Sequence, residues 1–367
     1  MLSYVIRRLL LMIPTLIGIT AVVFFTMALS PGGVGGPALA SGGELESGKT
    51  QALRAYYERR YGLDEPLWRQ YLNWLGRVSP LGPEFTTNDA GETVSTGWGL
   101  KVPDLGRSFS KGRPVLDLYG DALPITLLLN AVTLPFVYGI AIVSGVYAAR
   151  FRGRTFDVAS GTVLIGLWSI PTIWAGVMLI GFFANSQYPS LWLFPTGGLS
   201  SPEATTMPFL PRIEAGPEGG VFVKGWLLDR MHHLVLPVIC LSYGSFAVLS
   251  KLMRASVLEN ISSHFIRTAR AKGLPETQVL WGHAFRNSLL PLITVSAGIL
   301  PGLLGGSVVV EKIFSINGMG LLVLDAIYSR DRDVVLAGTL IAGVLTLICI
   351  LIADLLYAIA DPRVSYD

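Results

Sequence analysis

The side chains that could do chemistry gather in one polar stretch, FIRTARAKGLPETQVLWGHAFRNSLLP, at residues 265–291. Arg267, Arg270, Lys272 and Arg286 make it basic, and Ala269, Ala271 and Gly273 are small enough for another protein to approach the backbone closely. That is the chemistry of recognition rather than of catalysis. The usual catalytic constellations are missing. There is no GxxxxGK[ST] phosphate loop, and the glycine-rich stretches at 32–43 and 197–198 lack both the lysine and the helix, so the chain is not expected to hydrolyse ATP. His232 and His233 are adjacent, but no further His, Cys or carboxylate stands at metal-ligand spacing, and they read as interfacial. Cys240 and Cys349 lie in apolar segments and read as small buried hydrophobes, with no disulfide and no metal. Asp354 and Asn130 are polar residues inside apolar runs. Asp354 reads as a structural anchor that could pair with Arg363 or another basic residue. Asn130 reads equally as glue between helices or as cavity lining.

Long apolar runs must position that stretch. The chain is 51% hydrophobic and only 14% charged, where soluble domains carry about a quarter charged residues, so it reads as a polytopic membrane protein. Six segments are long and apolar enough to span, at 9–29, 122–149, 156–184, 234–258, 289–310 and 334–360. Pro14, Pro135, Pro171 and Pro237 interrupt several of them and suggest kinked helices around a cavity. The first run follows Arg7-Arg8 and ends near an Ala28-x-Ser30 box, but Pro31 disfavours cleavage, so it reads as an uncleaved first helix. Basic residues concentrate at Arg7, Arg8, Arg150, Arg152, Arg154, Lys251, Arg254 and in the 265–291 stretch, which places those segments and both termini in the cytoplasm.

Within the polar stretch, Gly273 followed by Leu274-Pro275 reads as a helix stop and restart. Val279, Leu280, Ala284, Phe285 and Leu289 then recur as a helical stripe, giving two short helices with a tight elbow. An amphipathic loop between two membrane helices is the plain alternative. Of the outer segments, 30–121 begins flexible, holds an amphipathic helix at about 50–61 ending at Gly62, and continues with Trp68, Tyr71 and Trp74 as an interface belt or packed cap. The segment 185–233, with Tyr188, Trp192 and Phe194, reads as an irregular outer cap.

Residues 267–273, Arg-Thr-Ala-x-x-x-Gly, together with Leu290-Pro291, resemble the EAA loop of ABC importer permeases. The family's leading Glu-Ala is Arg267-Thr268 here, as in the oligopeptide and dipeptide branch, which reads RTARAKG. The pattern YGLDEPLWRQYLNWL at 61–75 with DLGRS at 104–108 resembles the same branch. So do Glu311-Lys312-Ile313-Phe314-Ser315-x-x-Gly318-x-Gly320, Arg330-Asp331, and the closing Asp354-x-x-Tyr357-x-x-x-Asp361-Pro362-Arg363. Arg332-Asp333 replaces the more common Tyr-Pro. Asn317 and the ending DPRVSYD look most like the Yej-type subfamily, which imports oligopeptides and microcin C.

The resemblance implies an all-α polytopic membrane protein with the type I ABC importer permease fold. Its parts would be a membrane helix at 1–29, an extracytoplasmic cap at 30–121, a permease core at 122–360 with an outer loop at 185–233 and a cytoplasmic coupling loop at 261–288, and a cytoplasmic tail at 361–367. Arg267, Thr268, Ala269, Arg270, Ala271, Lys272, Gly273, Leu274 and Pro291 would couple to an ATPase. Glu311, Phe314, Gly318, Gly320, Arg330 and Asp331 would form an outer gate or a docking site for a binding protein. The implied partners are a second homologous permease, two ABC ATPase subunits or one fused double ATPase, an extracytoplasmic solute-binding protein, a peptide substrate and inner-membrane lipid, with no nucleic acid. This chain would carry no cofactor, since ATP and Mg would bind the ATPase subunits. An ion-gradient-driven secondary transporter is the alternative. It would need an inverted repeat and a midplane ion site, and neither stands out in the sequence. The topology predicts that a thiol reagent applied from outside modifies Ser95→Cys and not Thr277→Cys; the reverse pattern would overturn it.

Overall fold

The computed structural model describes residues 2–29, 55–56, 58, 60–62, 64–87, 93–185, 187, 193–216, 219–304 and 307–360. The first helix, α1, is Leu2–Leu29; α2 is Leu67–Val78, and strands β1 (Leu81–Thr87) and β2 (Thr93–Leu100) pair antiparallel. Then follow α3 (Val115–Arg150), α4 (Thr155–Trp168) and α5 (Thr172–Phe183), a second antiparallel hairpin of β3 (Arg212–Gly216) and β4 (Gly219–Val223), and α6 (Trp226–Ile261). The remaining helices are α7 (His264–Ala271), α8 (Glu276–Gln278), α9 (Phe285–Leu304), α10 (Val308–Ile313), α11 (Met319–Tyr328) and α12 (Arg332–Ala360). The chain is mostly helical, and the expectation of an all-α protein is corrected by these two hairpins. Residues 30–54 (which include the first five of the expected helix at 50–61), Tyr188 and Trp192, and the tail at 361–367 lie outside the described residues.

Among the described residues, four helices are long and apolar enough to cross a membrane, and a bent pair, α4 with α5, makes up to five. The run at 156–184, expected as one span, is two helices bent by 99°. Pro171 is the reason. It has no N–H to donate back, and its ring disfavours helical geometry at Ile170, so α5 starts afresh with Pro171 at φ −61° and ψ 138°. The expected run at 289–310 is likewise divided: α9 begins earlier, at Phe285, and ends at Leu304, and α10 is separate.

The chain divides into two compact units. The first holds Met1–Leu123 and Leu322–Leu347. Tyr71, Trp74 and Val78 recur on one face of α2 and are buried, while Trp68 on another face is 56% exposed. Phe24 of α1 packs on Tyr71 with ring centroids 5.3 Å apart, and the Tyr71 hydroxyl donates to the Ile17 carbonyl at 2.8 Å. Of the two readings of this aromatic run, the packed cap describes Tyr71 and Trp74. The start of α12 is tied down by a buried carboxylate. Asp333 accepts from the Tyr56 hydroxyl at 2.7 Å, from the Tyr61 hydroxyl and from the Arg107 N–H, with the Arg60 guanidinium 3.4 Å away. Gly106 sits at φ +85°, and a Cβ there would fall on the Asp333 carboxylate. The Arg332 guanidinium lies 4.1 Å from the ring centres of both Phe24 and Tyr61, a cation–π sandwich.

The second unit holds Pro124–Leu321 and Ile348–Asp367. In it α3 and α6 cross at Gly145, where an added Cβ would come within 2.6 Å of the Ser250 carbonyl and 2.7 Å of Met253 Cβ. Ser144 and Ser250 share a hydroxyl hydrogen bond of 2.8 Å at the same crossing. Asp157 of α4 accepts from Nε and Nη2 of Arg254 of α6, at 2.6 and 2.7 Å, and from the Gly153 N–H at 2.9 Å. Asn130 is buried and donates to the Thr126 carbonyl at 2.7 Å. His232 does sit in a polar network: its Nδ1 lies 2.8 Å from Lys224 Nζ and its Nε2 2.7 Å from the Leu193 carbonyl. Gly145→Ala should overpack the α3–α6 crossing at a cost of about 1–3 kcal/mol. The expected result is a lower unfolding temperature in detergent; an unchanged temperature would contradict the close crossing.

Candidate functional site

The polar stretch folds as an elbow whose turn satisfies its own backbone. Helix α7 ends in a glycine-capped closure: Gly273 stands at φ +78°, its N–H donates to the Arg270 carbonyl at 2.9 Å, and the Leu274 N–H reaches back to the Ala269 carbonyl at 3.4 Å. Leu274 packs against the cluster that holds Ala269, which completes a Schellman motif. Pro275, extended at ψ 146°, then caps α8. A fork spans the turn: Arg270 Nη2 donates to Glu276 Oε1 at 2.6 Å and Nε to Oε2 at 3.1 Å. This hydrogen bonding holds the Glu276 carboxyl below the usual carboxylate range. The fork's contribution is therefore present above about pH 4.3 and is lost as pH falls through the lowered value in the folded state.

The elbow is seated on helix ends. Ile266 and Ala269 of α7 pack with Val279 and Ala284 of the π-helical turn Val279–Ala284, all buried. Leu280 joins Val146 and Ala149 of α3, Met253 and Val257 of α6, and Leu292 of α9. Trp281 packs edge-on to Tyr147 at 6.3 Å, and Asn260 at the end of α6 donates to the Ser288 hydroxyl at 3.0 Å. Arg267, Thr268, Arg270, Ala271, Lys272 and Gly273 are exposed. The result is a rigid cationic projection with no reactive group.

The second set of expected site residues folds inward. Glu311 is 1% exposed, and its Oε2 accepts the Leu321 N–H at 2.7 Å in the first turn of α11. A Cβ at Gly318 would meet the Glu311 carboxyl at 2.6 Å, and one at Gly320 at 3.1 Å, so both glycines make room for that carboxylate. Burial raises the Glu311 carboxyl above its ordinary range, against these amide hydrogen bonds. The Thr126 hydroxyl accepts the neighbouring Met319 N–H at 2.9 Å. Buried Phe314 offers its carbonyl to the Gly198 N–H at 2.8 Å. In the other unit, half-buried Arg330 closes α11 at φ +55°. Fully buried Asp331 takes the hydroxyls of Ser108 at 2.6 Å and Ser110 at 3.0 Å.

A family model described as the binding-protein-dependent transport system inner membrane component matches residues 141–366, and the model of the N-terminal part of such components matches residues 1–130. The chain belongs to this family. Similar over the full length of this chain are the oligopeptide transport system permease protein AppB of Bacillus subtilis (36% identical, 100% of that protein covered) and the dipeptide transport system permease protein DppB of Escherichia coli K12 (33%, 99% covered). The peptidoglycan transport system permease protein YejB of Agrobacterium fabrum is also similar, at 32% identity over all of this chain and 98% of that protein.

In this permease, the structure brings Arg267 to Leu274 together in one elbow, with Ala269 turned inward as packing rather than offered to a partner. Pro291 is not in the elbow; it lies within α9. Glu311, Phe314, Gly318 and Gly320 make one buried knot, and the exposed residues among them are Lys312, Ser315 and Asn317. Sequence reasoning missed Glu276 as the partner of Arg270, because their spacing crosses a turn and follows no helical period. It also missed Thr126, whose contact with Met319 spans most of the unit. Glu311→Ala should strand the amides of the α11 first turn at a cost of about 1–3 kcal/mol. Thermal unfolding of the purified permease should show the loss; an unaltered transition would mean that the carboxylate does not hold the knot.

Proposed function

We propose that this permease is one half of the membrane pathway of an ATP-driven oligopeptide importer, and that the elbow at 264–278 is the part an ATPase subunit grips. The observation that carries the reading is the elbow itself: an exposed, self-closed turn seated on the ends of α3, α6 and α9. A push or pull on such a body is passed to the helices beneath it, because the turn has few soft torsions left to absorb it. Coupling requires such an element with two positions, each favoured by a different state of the ATPase. The names of the similar permeases, an oligopeptide and a dipeptide transporter, favour peptides as cargo.

In this reading the chain makes six spans in the inner membrane, with both termini and the elbow in the cytoplasm. A homologous second permease completes the pathway. Two ATPase subunits or one fused double ATPase hold ATP and Mg, and this chain holds no cofactor. A solute-binding protein delivers peptide from outside. The buried knots at Glu311 and Asp331 hold the backbone in shape, and exposed side chains beside the Glu311 knot, Lys312, Ser315 and Asn317, are free of it to meet a partner.

The 99° break between α4 and α5 favours a second reading, because ion-coupled transporters place substrate sites at discontinuous helices. One experiment separates the two. The permease is reconstituted in liposomes with its ATPase, its partner permease and its binding protein, and labelled peptide uptake is measured with and without ATP. Importer function predicts ATP-dependent uptake; uptake driven by an ion gradient alone would sink it. A Cβ at Gly273 meets no atom within 4 Å, but Gly273→Trp forces a bulky residue into a left-handed turn, a strain of about 1–2 kcal/mol for any non-glycine residue. It should abolish peptide-stimulated ATPase activity while the protein still inserts and purifies. Normal stimulation would remove the coupling role. Microcin C-type conjugates serve as competitors in the same assay.

A further inference from the structure

A cavity of about 450 Å³ opens at the break between α4 and α5. Trp168, Ile170 and Thr172 form one wall, and Cys240, Leu241, Tyr243, Gly244, Ser245 and Val248 of α6 form the other, with Val295 of α9 beside them. The break lies at the middle of the bent pair and faces the mid-length of α6. The carbonyl that the break frees, on Ile170, accepts the Tyr243 hydroxyl at 2.7 Å. Irregular backbone at membrane depth is stable only when buried in protein or facing a water-filled cavity, so this wall is unsuited to lipid.

The lining chemistry is selective. Among the described residues no charged side chain lines the cavity, and Thr172, Tyr243 and Ser245 supply side-chain hydroxyls. A buried ionised group would therefore lack a counter-charge, which is costly. Trp168 is 62% exposed and presents an aromatic surface. A Cβ built at Gly244 meets nothing within 4 Å, so the glycine leaves the cavity its width there. The volume is about three times the ~150 Å³ void known to hold a benzene-sized ligand, which leaves room for a ring and part of a backbone.

We propose that this cavity is a subsite that receives a bulky non-polar side chain, aromatic or branched aliphatic, of the peptide in transit. The inference rests on the peptide-import reading above. The cavity then discriminates among peptides by side-chain volume rather than by charge.

The test uses the complete reconstituted transporter and two labelled probes, trialanine and Ala-Phe-Ala. Gly244→Phe places a ring on a lining position of α6 where a Cβ meets nothing within 4 Å. It should lower Ala-Phe-Ala uptake by about tenfold or more, within the range that hydrophobic pockets discriminate, and leave trialanine uptake near the parent value. Val248→Trp, one helical turn away, should show the same split, and Gly244→Ala should behave as the parent does on both probes. If both fillers lower the two probes equally, or change neither, the subsite is refuted. Loss of the partner permease on co-purification of either filler would assign the cavity to the subunit interface and also refute it. If the parent transporter moves neither probe, the peptide-import reading fails first and takes this inference with it.

Discussion

A helix end leaves carbonyls without partners, and a protruding loop has little tertiary packing to make up for them. The turn at Gly273 answers that constraint locally. Two backs of hydrogen bonding, from Gly273 to Arg270 and from Leu274 to Ala269, close α7, and the left-handed glycine lets the chain reverse within a few residues. Without that closure the segment between α6 and α9 would be an adaptable strap. With it, the segment is a solid projection whose apolar side, Ile266, Val279 and Ala284, is buried in its own base. The docking account depends on that difference, because only a stiff projection can carry a displacement from a partner to the helices.

A chain with so few charged residues uses several of them indoors, where they organise backbone. Glu311 accepts an amide from the first turn of α11. Asp333 lies in the first turn of α12, where the helix dipole favours a negative charge, and gathers hydroxyls from Tyr56 and Tyr61. Asp331 collects the serines of the DLGRS neighbourhood. Asp331 and Asp333 hold the start of α12 against segments distant in sequence, and Glu311 holds the start of α11 to the neighbouring α10. Truncating such a group strands its buried donors, so these positions tolerate little change even though none of them meets a ligand in this account.

Local rules made part of this legible in the sequence. Gly-Leu-Pro at 273–275 specifies a stop and a restart whatever surrounds it, and the elbow is where the residues place it. Apolar length located α1, α3, α6 and α12. The break at Pro171 was visible as a proline but not as a right-angled division, since a proline within a span can merely kink it; the choice depends on Tyr243 being placed to satisfy Ile170. The charged residues near α10 and α12 read as surface because charge is usually solvated. Their burial comes from partners such as Tyr56 with Asp333 and Ser108 with Asp331, pairs far apart in the chain that no local period reveals. Ala269 was misread for a similar reason. A small residue permits close approach, but only the fold decides whether the approaching surface is its own.

The most direct measurement is site-specific photocrosslinking from the exposed tip of the elbow. A photoreactive residue at Lys272 or Thr277, both exposed, is activated in membranes that contain the assembled transporter. The account predicts an adduct with the ATPase subunit whose yield changes when ATP is bound, while a probe on the exposed hairpin residue Trp98 gives none. An ATPase adduct absent from the elbow but formed elsewhere on the chain would contradict it.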